Sequence, residues 1–260
     1  MFAKLPKNLI PNFRPGALTP LRVKEILEDV LENPIKIPNY LGYDNPEVHI
    51  EKQISPYNNS KHVAEYQNVD IASLYRYFNT YQKDKKYWED TPYSERREVF
   101  LNAANLIEGK YYHDMLAYTM AGQNKNIYEA EIDAICELVD FLRFNVSYAD
   151  SIMRKQPIQT GSIKNISEYN SLNGFVASIT PFNFTAIGGN LASAPLLFGN
   201  SVLWKPSDNA ILSNHLFYNI MLEAGLPRGV LNFCPMEPKI FLDKVSEQKD
   251  LGAVLFTGSS

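Results

Sequence analysis

From residue 174 onward the chain alternates short β-rich runs with helical segments at a period of roughly 25 to 30 residues, and no other feature limits its fold as strongly. The β-rich runs are 175–180, 201–204, 230–233 and 253–256. The first intervening segment is slim, built on Gly188, Gly189, Ala192, Ser193 and Ala194. The second, about 208–224, carries Ile211, Leu212, His215, Leu216, Ile220 and Leu222 and stops at Gly225. The third, about 238–247, carries Ile240, Phe241, Leu242 and Val245. Strand, helix, strand, helix at this spacing is the pattern of a doubly wound parallel sheet in an α/β protein. The last residues, Gly258-Ser259-Ser260, are poised as a turn into a further helix, so the sheet is expected to be truncated after four strands.

Upstream the periodicity is helical. Asp70 is placed to cap a helix over about 71–88, and Thr91-Pro92 with Ser94 to start another. That second helix carries Val99, Phe100, Ala103, Leu106 and Ile107 on one face and ends at Gly109. A third covers about 113–121 and stops at Gly122. A fourth, about 127–149, places Ile132, Ile135, Cys136, Val139, Leu142 and Val146 three or four residues apart. Residues 1–70 are broken by Asn33-Pro34, Gly42-Tyr43-Asp44-Asn45-Pro46 and Ser55-Pro56-Tyr57-Asn58-Asn59, with alternating runs at 48–51 and 63–66. The expected organisation is an irregular arm with short strands over 1–70, a helical part over 71–172 and an incomplete parallel sheet over 173–260.

Composition narrows the function classes. A hydrophobic content of 45% and a charged content of 21% are those of a soluble globular protein. A net charge of -4 argues for neither a nucleic-acid partner nor an anionic membrane, and no stretch reaches the ~18 apolar residues of a membrane helix. Two cysteines cannot form a disulfide framework, which makes a reducing compartment the default. Lys4, Lys7, Arg14, Arg22 and Lys24 all precede the first acid, Glu25, a bias found in mitochondrial presequences. Pro6, Pro11, Pro15 and Pro20 would break the amphipathic helix of such a presequence, and a basic extended arm is the competing reading.

The chemistry-bearing residues follow the strands. Asn183, in Thr180-Pro181-Phe182-Asn183-Phe184, lies behind the first strand and ahead of a stretch of small residues. A primary amide held there can donate to a developing oxyanion, and Phe182 and Phe184 are expected to wall off water; the same residues also suit a strand-to-helix turn with an Asn cap. Lys205-Pro206 ends the second strand, at the sheet edge where open α/β folds bind ligands, and a cation there can grip a ribose hydroxyl or a phosphate; a snorkelling surface lysine is the alternative. Asp208 reads as a helix N-cap before it reads as a ligand. Thr257-Gly258-Ser259 can offer backbone N–H groups to a pyrophosphate, although no Gly-x-Gly-x-x-Gly occurs. His49, His62, His113 and His215 lack ligand-like spacing, so no metal site is expected. Cys136 and Cys234 read as buried, inert thiols, and Glu129, Glu131 and Asp133 as the acidic start of a helix.

Taken in order, 173–184, Gly199-Asn200-Ser201-Val202-Leu203-Trp204-Lys205-Pro206-Ser207, 223–233 and Phe256-Thr257-Gly258-Ser259 resemble the aldehyde dehydrogenase superfamily. Thr185-Ala186-Ile187-Gly188-Gly189-Asn190-Leu191, Met120-Ala121-Gly122-Gln123-Asn124-Lys125 and the run from Glu129 to Asn145 look like its L-glutamate γ-semialdehyde (1-pyrroline-5-carboxylate) dehydrogenases. The resemblance spans about 50–260 and is looser before that. It implies an aldehyde-dehydrogenase-like fold and NAD-dependent oxidation of glutamate γ-semialdehyde to glutamate in proline degradation, by attack of a Cys thiolate and hydrolysis of the thioester by Glu-activated water. By the same resemblance Asn183 is the oxyanion amide and Phe184 an aromatic wall beside the aldehyde. Thr180, Lys205 and Asp208 contact the cofactor, Gly258 and Ser259 form the pyrophosphate turn, and Glu131 is a helix carboxylate near the substrate entrance. The family's nucleophilic Cys, general-base Glu and catalytic domain have no counterpart in these 260 residues, so the chain alone is expected to be inactive; neither Cys136 nor Cys234 inherits the role. A homo-oligomer, and a mitochondrial matrix location in a eukaryote or a cytoplasmic one otherwise, are implied for the family member. The alternative is a non-catalytic pseudoenzyme or interaction protein keeping a partial nucleotide site.

Overall fold

The computed structural model describes residues 18–41 and 49–259. The expected turn at 42–46, Val48 of the alternating run, the basic residues Lys4, Lys7 and Arg14, and Ser260 lie outside the described residues.

The helical layer runs from α1 to α6. Helix α1 (Leu18–Glu32) was not expected in an irregular arm. Pro20 is tolerated in its first turn, and Val23, Ile26, Leu27, Val30 and Leu31 form an apolar stripe that packs on α4. Strands β1 (Ile35–Ile37), β2 (Glu51–Ser55) and β3 (Asn58–Tyr66) then make a sheet in the order β1-β3-β2. Helix α2 (Ile71–Asp90) starts at Asp70, whose carboxylate accepts from Ser73 N at 2.6 Å. Helix α3 (Tyr93–Glu108) ends at Gly109. Helix α4 (Tyr112–Gln123) passes through Gly122, contrary to expectation, and ends on left-handed Asn124 (φ 55°). Gly122 is needed for space: a Cβ there would stand 2.5 Å from Gln53 Nε2.

The long fourth helix is not uniform. Helix α5 (Ile127–Ala130) continues through a π-helical segment (Glu131–Glu137) into α6 (Leu138–Met153). The wider i→i+5 turns rotate the faces relative to a regular α-helix. Ile132, expected on the buried stripe, is therefore 52% exposed, while Asp133 is only 1% exposed.

The second sheet is fully parallel, with order β6-β5-β4-β7, from β4 (Phe175–Ile179), β5 (Val202–Lys205), β6 (Leu231–Phe233) and β7 (Leu251–Phe256). Helix α7 (Thr185–Ser193) and a 3-10 turn (Ala194–Phe198) join β4 to β5. A 3-10 turn (Asp208–Ala210) and α8 (Ile211–Glu223) join β5 to β6, and α9 (Pro238–Ser246) returns the chain to β7 on the far side of β4. The two faces of the sheet feed two cores. Val176, Val202, Trp204, Leu231 and Phe233 pack with the helical layer; Phe175, Ala177 and Leu203 pack with Tyr77 and Tyr81 of α2 and Phe241 and Val245 of α9. Residues i and i+2 thus share a face; both faces of β4, β5 and β6 are covered, as parallel strands require, whereas Gly252, Val254 and Phe256 of the edge strand β7 are exposed.

Candidate active site

Strand order reverses direction at β4: α7 leads to β5 on one side and α9 to β7 on the other. The carboxyl ends of the strands at this switch point open a crevice, the place where doubly wound sheets bind ligands. The crevice here holds a cleft of about 480 Å³. Thr180, Asn183, Lys205, Gly258 and Ser259 all line it, joined by Ser207 and by Pro238 at the start of α9. Residues far apart in the chain meet because each follows a strand of one parallel sheet.

Each group is held by its neighbours. Thr180 N donates to Lys205 O at 3.2 Å, Thr257 N donates to Ile179 O at 3.2 Å, and Trp204 Nε1 donates to Thr180 Oγ1 at 2.9 Å. These bonds extend the ladder one residue past β4 and pin the loop ahead of Asn183. Lys205 is 4% exposed, so it is no snorkelling surface residue. Its Nζ donates to Pro206 O at 3.0 Å and stands 3.6 Å from Asp208 Oδ1. That separation is an ion pair but not a hydrogen bond, and Asp208 Oδ1 has no hydrogen-bond partner. Asp208 does not cap the following turn either; Ser207 does, its Oγ accepting from Asn209 N at 3.4 Å. The lysine and the carboxylate thus share an unclosed gap at the end of β5.

The expected aromatic wall is open. Phe182 is 57% and Phe184 37% exposed. Phe184 instead lies against Lys125, whose Nζ is 4.1 Å from the ring centroid. Glu131 falls outside the cleft: its buried carboxylate accepts from the Tyr112 hydroxyl and faces the helical layer. The thiols do not line the cleft. Burial pushes Cys136 up to about 11 and Cys234 higher still, so neither is a thiolate near neutral pH.

Asp133 and Lys125, beneath the loop, had no place in the site as read from sequence. Asp133, in the π-helical segment, accepts from Thr185 N at 2.9 Å and Ala186 N at 2.8 Å and pairs with Lys125. Asp133 was read as one of three acids at a helix start, where Glu129 does the ordinary capping with Asn126. Regular 3.6-residue periodicity carries no sign of the rotation that turns Asp133 inward.

This is an α/β protein with an open cleft at its topological switch point. The aldehyde dehydrogenase family pattern matches residues 45–260, and the chain belongs to that family. It is 45% identical over 210 residues to the mitochondrial delta-1-pyrroline-5-carboxylate dehydrogenase of Mus musculus, covering 81% of this chain and 37% of that protein. It is 42% identical over 256 residues to the corresponding mitochondrial protein of Emericella nidulans, covering 96% of this chain and 44% of the relative. A solved delta-pyrroline-5-carboxylate dehydrogenase of Mycobacterium tuberculosis, bound with NAD, superposes with a TM-score of 0.94 at 35% identity over 100% of this chain and 49% of that one. The chain thus spans less than half the length of each of these three proteins.

Proposed function

We propose that this chain supplies the cofactor-binding and oxyanion-stabilising part of an NAD-dependent dehydrogenase that oxidises L-glutamate γ-semialdehyde, the open form of 1-pyrroline-5-carboxylate, to L-glutamate in proline degradation. The observation that carries this reading is the meeting of Thr180, Asn183, Lys205, Gly258 and Ser259 in one cleft at the strand ends. The names of the relatives and the NAD bound to a structural neighbour support the choice of substrate and cofactor.

The residues fit a dinucleotide. The gap between Lys205 Nζ and Asp208 Oδ1 leaves a donor and an unpartnered acceptor side by side, which suits the paired hydroxyls of a ribose. Gly258 keeps the turn after β7 bare, since a Cβ there would stand 3.0 Å from the Phe256 ring; Gly258 and Ser259 can bring backbone close to a pyrophosphate. NAD, when bound, supplies the hydride acceptor. Asn183, exposed on the loop behind β4, offers its amide to charge developing on the aldehyde oxygen, with the exposed ring of Phe184 beside it. The attacking thiolate comes from outside these residues, because both cysteines are buried elsewhere.

A mitochondrial matrix location in a eukaryote belongs to the same proposal, supported by the names of the animal and fungal relatives. So does self-association, supported by the exposed Ile158, Ile163 and Ile166 in the segment after α6.

Calorimetric titration tests the cofactor half. NAD binds this chain, and Lys205→Ala weakens binding by at least ~10-fold, as loss of a charge-assisted hydrogen bond does. Equal affinity in the variant removes Lys205 from the site. In the complete dehydrogenase, Asn183→Ala lowers kcat for glutamate γ-semialdehyde about 10²-fold with little change in NAD affinity, as loss of an oxyanion donor does. Unchanged kcat defeats the oxyanion reading.

A further inference from the structure

We infer that Asp133 is the positioning residue for Asn183: it grips the first two amides of α7 from the π-helical segment, with Lys125 locking it and the Phe184 ring in place. The inference rests on the reading of Asn183 given above.

Four observations carry it. Helix α7 begins directly after Asn183 and Phe184, and Phe184 in the N-cap position provides no side-chain cap. The orphan amides of the first turn are satisfied instead from a different element, since the Asp133 carboxylate accepts from both Thr185 N and Ala186 N. A carboxylate facing a helix N-terminus is favoured twice, by the hydrogen bonds and by the helix dipole. The carboxylate is buried almost completely, and Lys125 neutralises it from a largely buried site.

The same lysine lies over the Phe184 ring, so one cation ties Asp133 to the residue next to Asn183. Deeper in the same seam, Gln123 Nε2 donates to Thr185 Oγ1 at 2.7 Å, and Thr185 Oγ1 donates to Ser213 Oγ at 3.1 Å. Thr185 is therefore held at both its backbone and its side chain. Asn183 itself is exposed on the loop, two residues ahead of this anchor. Its amide can be aimed reproducibly only if the anchor is fixed, since a misplacement of about 1 Å at a reacting centre costs on the order of 10²-fold in rate. The π-helical segment is what makes the anchor possible, because it turns Asp133 inward where a regular helix would carry Ile132 on the buried stripe.

The test is a set of double-mutant cycles in the complete dehydrogenase, assayed by NADH formation from glutamate γ-semialdehyde. Asp133→Asn and Lys125→Met are each made alone and with Asn183→Ala. Each single variant is expected to lower kcat about 10-fold while NAD affinity stays within about twofold. In the Asn183→Ala background each is expected to change kcat by less than about twofold, because a residue acting through Asn183 has nothing left to position. Effects that multiply, or full kcat in both single variants, overturn the inference. Should Asp133→Asn fail to fold, Lys125→Met carries the cycle alone. A second readout needs no turnover: hydrogen exchange of the Thr185 and Ala186 amides in this chain is expected to quicken at least ~10-fold in Asp133→Asn relative to the rest of the sheet region. Unchanged exchange overturns the inference. Unchanged kcat in Asn183→Ala alone defeats the oxyanion reading instead, and the exchange rates then decide whether Asp133 anchors α7.

Discussion

His215 on α8 is a buried histidine whose Nε2 lies 2.8 Å from the Tyr40 hydroxyl and 3.1 Å from Asn219 Nδ2. Burial lowers its pKa from 6.5 to about 4, so the ring is neutral in the folded protein at ordinary pH. The unfolded chain binds this proton more readily than the folded one between those two values. Stability from keeping His215 neutral is therefore complete above the unfolded pKa and is lost as pH falls through that window, by about 3 kcal/mol at pH ~4. Urea unfolding of the protein and of His215→Gln between pH ~7 and ~4.5 checks this: the difference between their slopes against pH is the contribution of the ring. An identical slope in the variant would mean that the ring is already accessible to protons in the folded state. The sequence placed His215 on the apolar side of a helix and excluded it from metal binding by spacing, but its partner Tyr40 lies 175 residues away. No pattern within α8 points to that residue.

At the scale of elements, α7 is built to be thin. Gly189 faces α6 and α8, and a Cβ there would stand 2.6 Å from Leu138 Cδ1 and 3.3 Å from the Phe217 ring. Gly188 faces Asn214 just as closely, at 2.6 Å from Oδ1. Helix propensity alone would favour alanine at both positions by up to ~1 kcal/mol. Packing reverses the sign: Gly189→Ala is expected to destabilise the protein by about 1–3 kcal/mol through overpacking, measured as a shift of the urea midpoint with an unchanged slope. The slimness of this segment was legible in the run of small residues. Why it must be slim was not, because Leu138 and Phe217 come from elements on either side of it in the chain. The same division appears in the 127–153 helix. Its course to about residue 149 and its stripe apart from Ile132 were legible from three- and four-residue spacing, but its π-helical segment was hidden, since an extra residue in a turn leaves the local composition unchanged.

Across the whole molecule, a buried amide fastens the small sheet to the turn that follows β5. Gln53 on β2 is 1% exposed. Its Nε2 donates to Asn209 O at 2.8 Å, and its Oε1 accepts from Leu212 N at 2.7 Å. Ser55 adds a bond from Oγ to Ala121 O at 2.9 Å. Gln53 therefore ties the 3-10 turn that carries Asp208 to the first turn of α8. Gln53→Leu fills similar space but leaves Asn209 O and Leu212 N without this partner, and is expected to cost about 2 kcal/mol or more of stability. With its turn loosened, Asp208 loses its fixed distance from Lys205, and NAD affinity is expected to fall several-fold. Thermal unfolding and NAD titration of the same variant check the two effects together. A stability loss with wild-type NAD affinity would separate the sheet from the cleft.

The sequence by itself determined that this chain forms a parallel α/β sheet with its candidate site residues at the strand ends. Strand–helix alternation, capping residues and short apolar runs are local signals, and a parallel sheet gathers its loops at one edge whatever its sequence details. Thr180, Asn183, Lys205, Gly258 and Ser259 line one cleft because each follows a strand of that sheet, although Thr180 was singled out only through the family resemblance. Helix α1 was masked by surrounding prolines and asparagines, whose turn signals outweighed a stripe completed only by packing on α4. Tertiary structure alone decided that Glu131 faces Tyr112, that Asp133 grips α7, and that Lys205 is buried with Asp208 just beyond hydrogen-bond reach. Those outcomes depend on helix rotation and on contacts between distant segments, and rotation by a single residue exchanges a buried side chain for an exposed one without altering the order of residues along the chain.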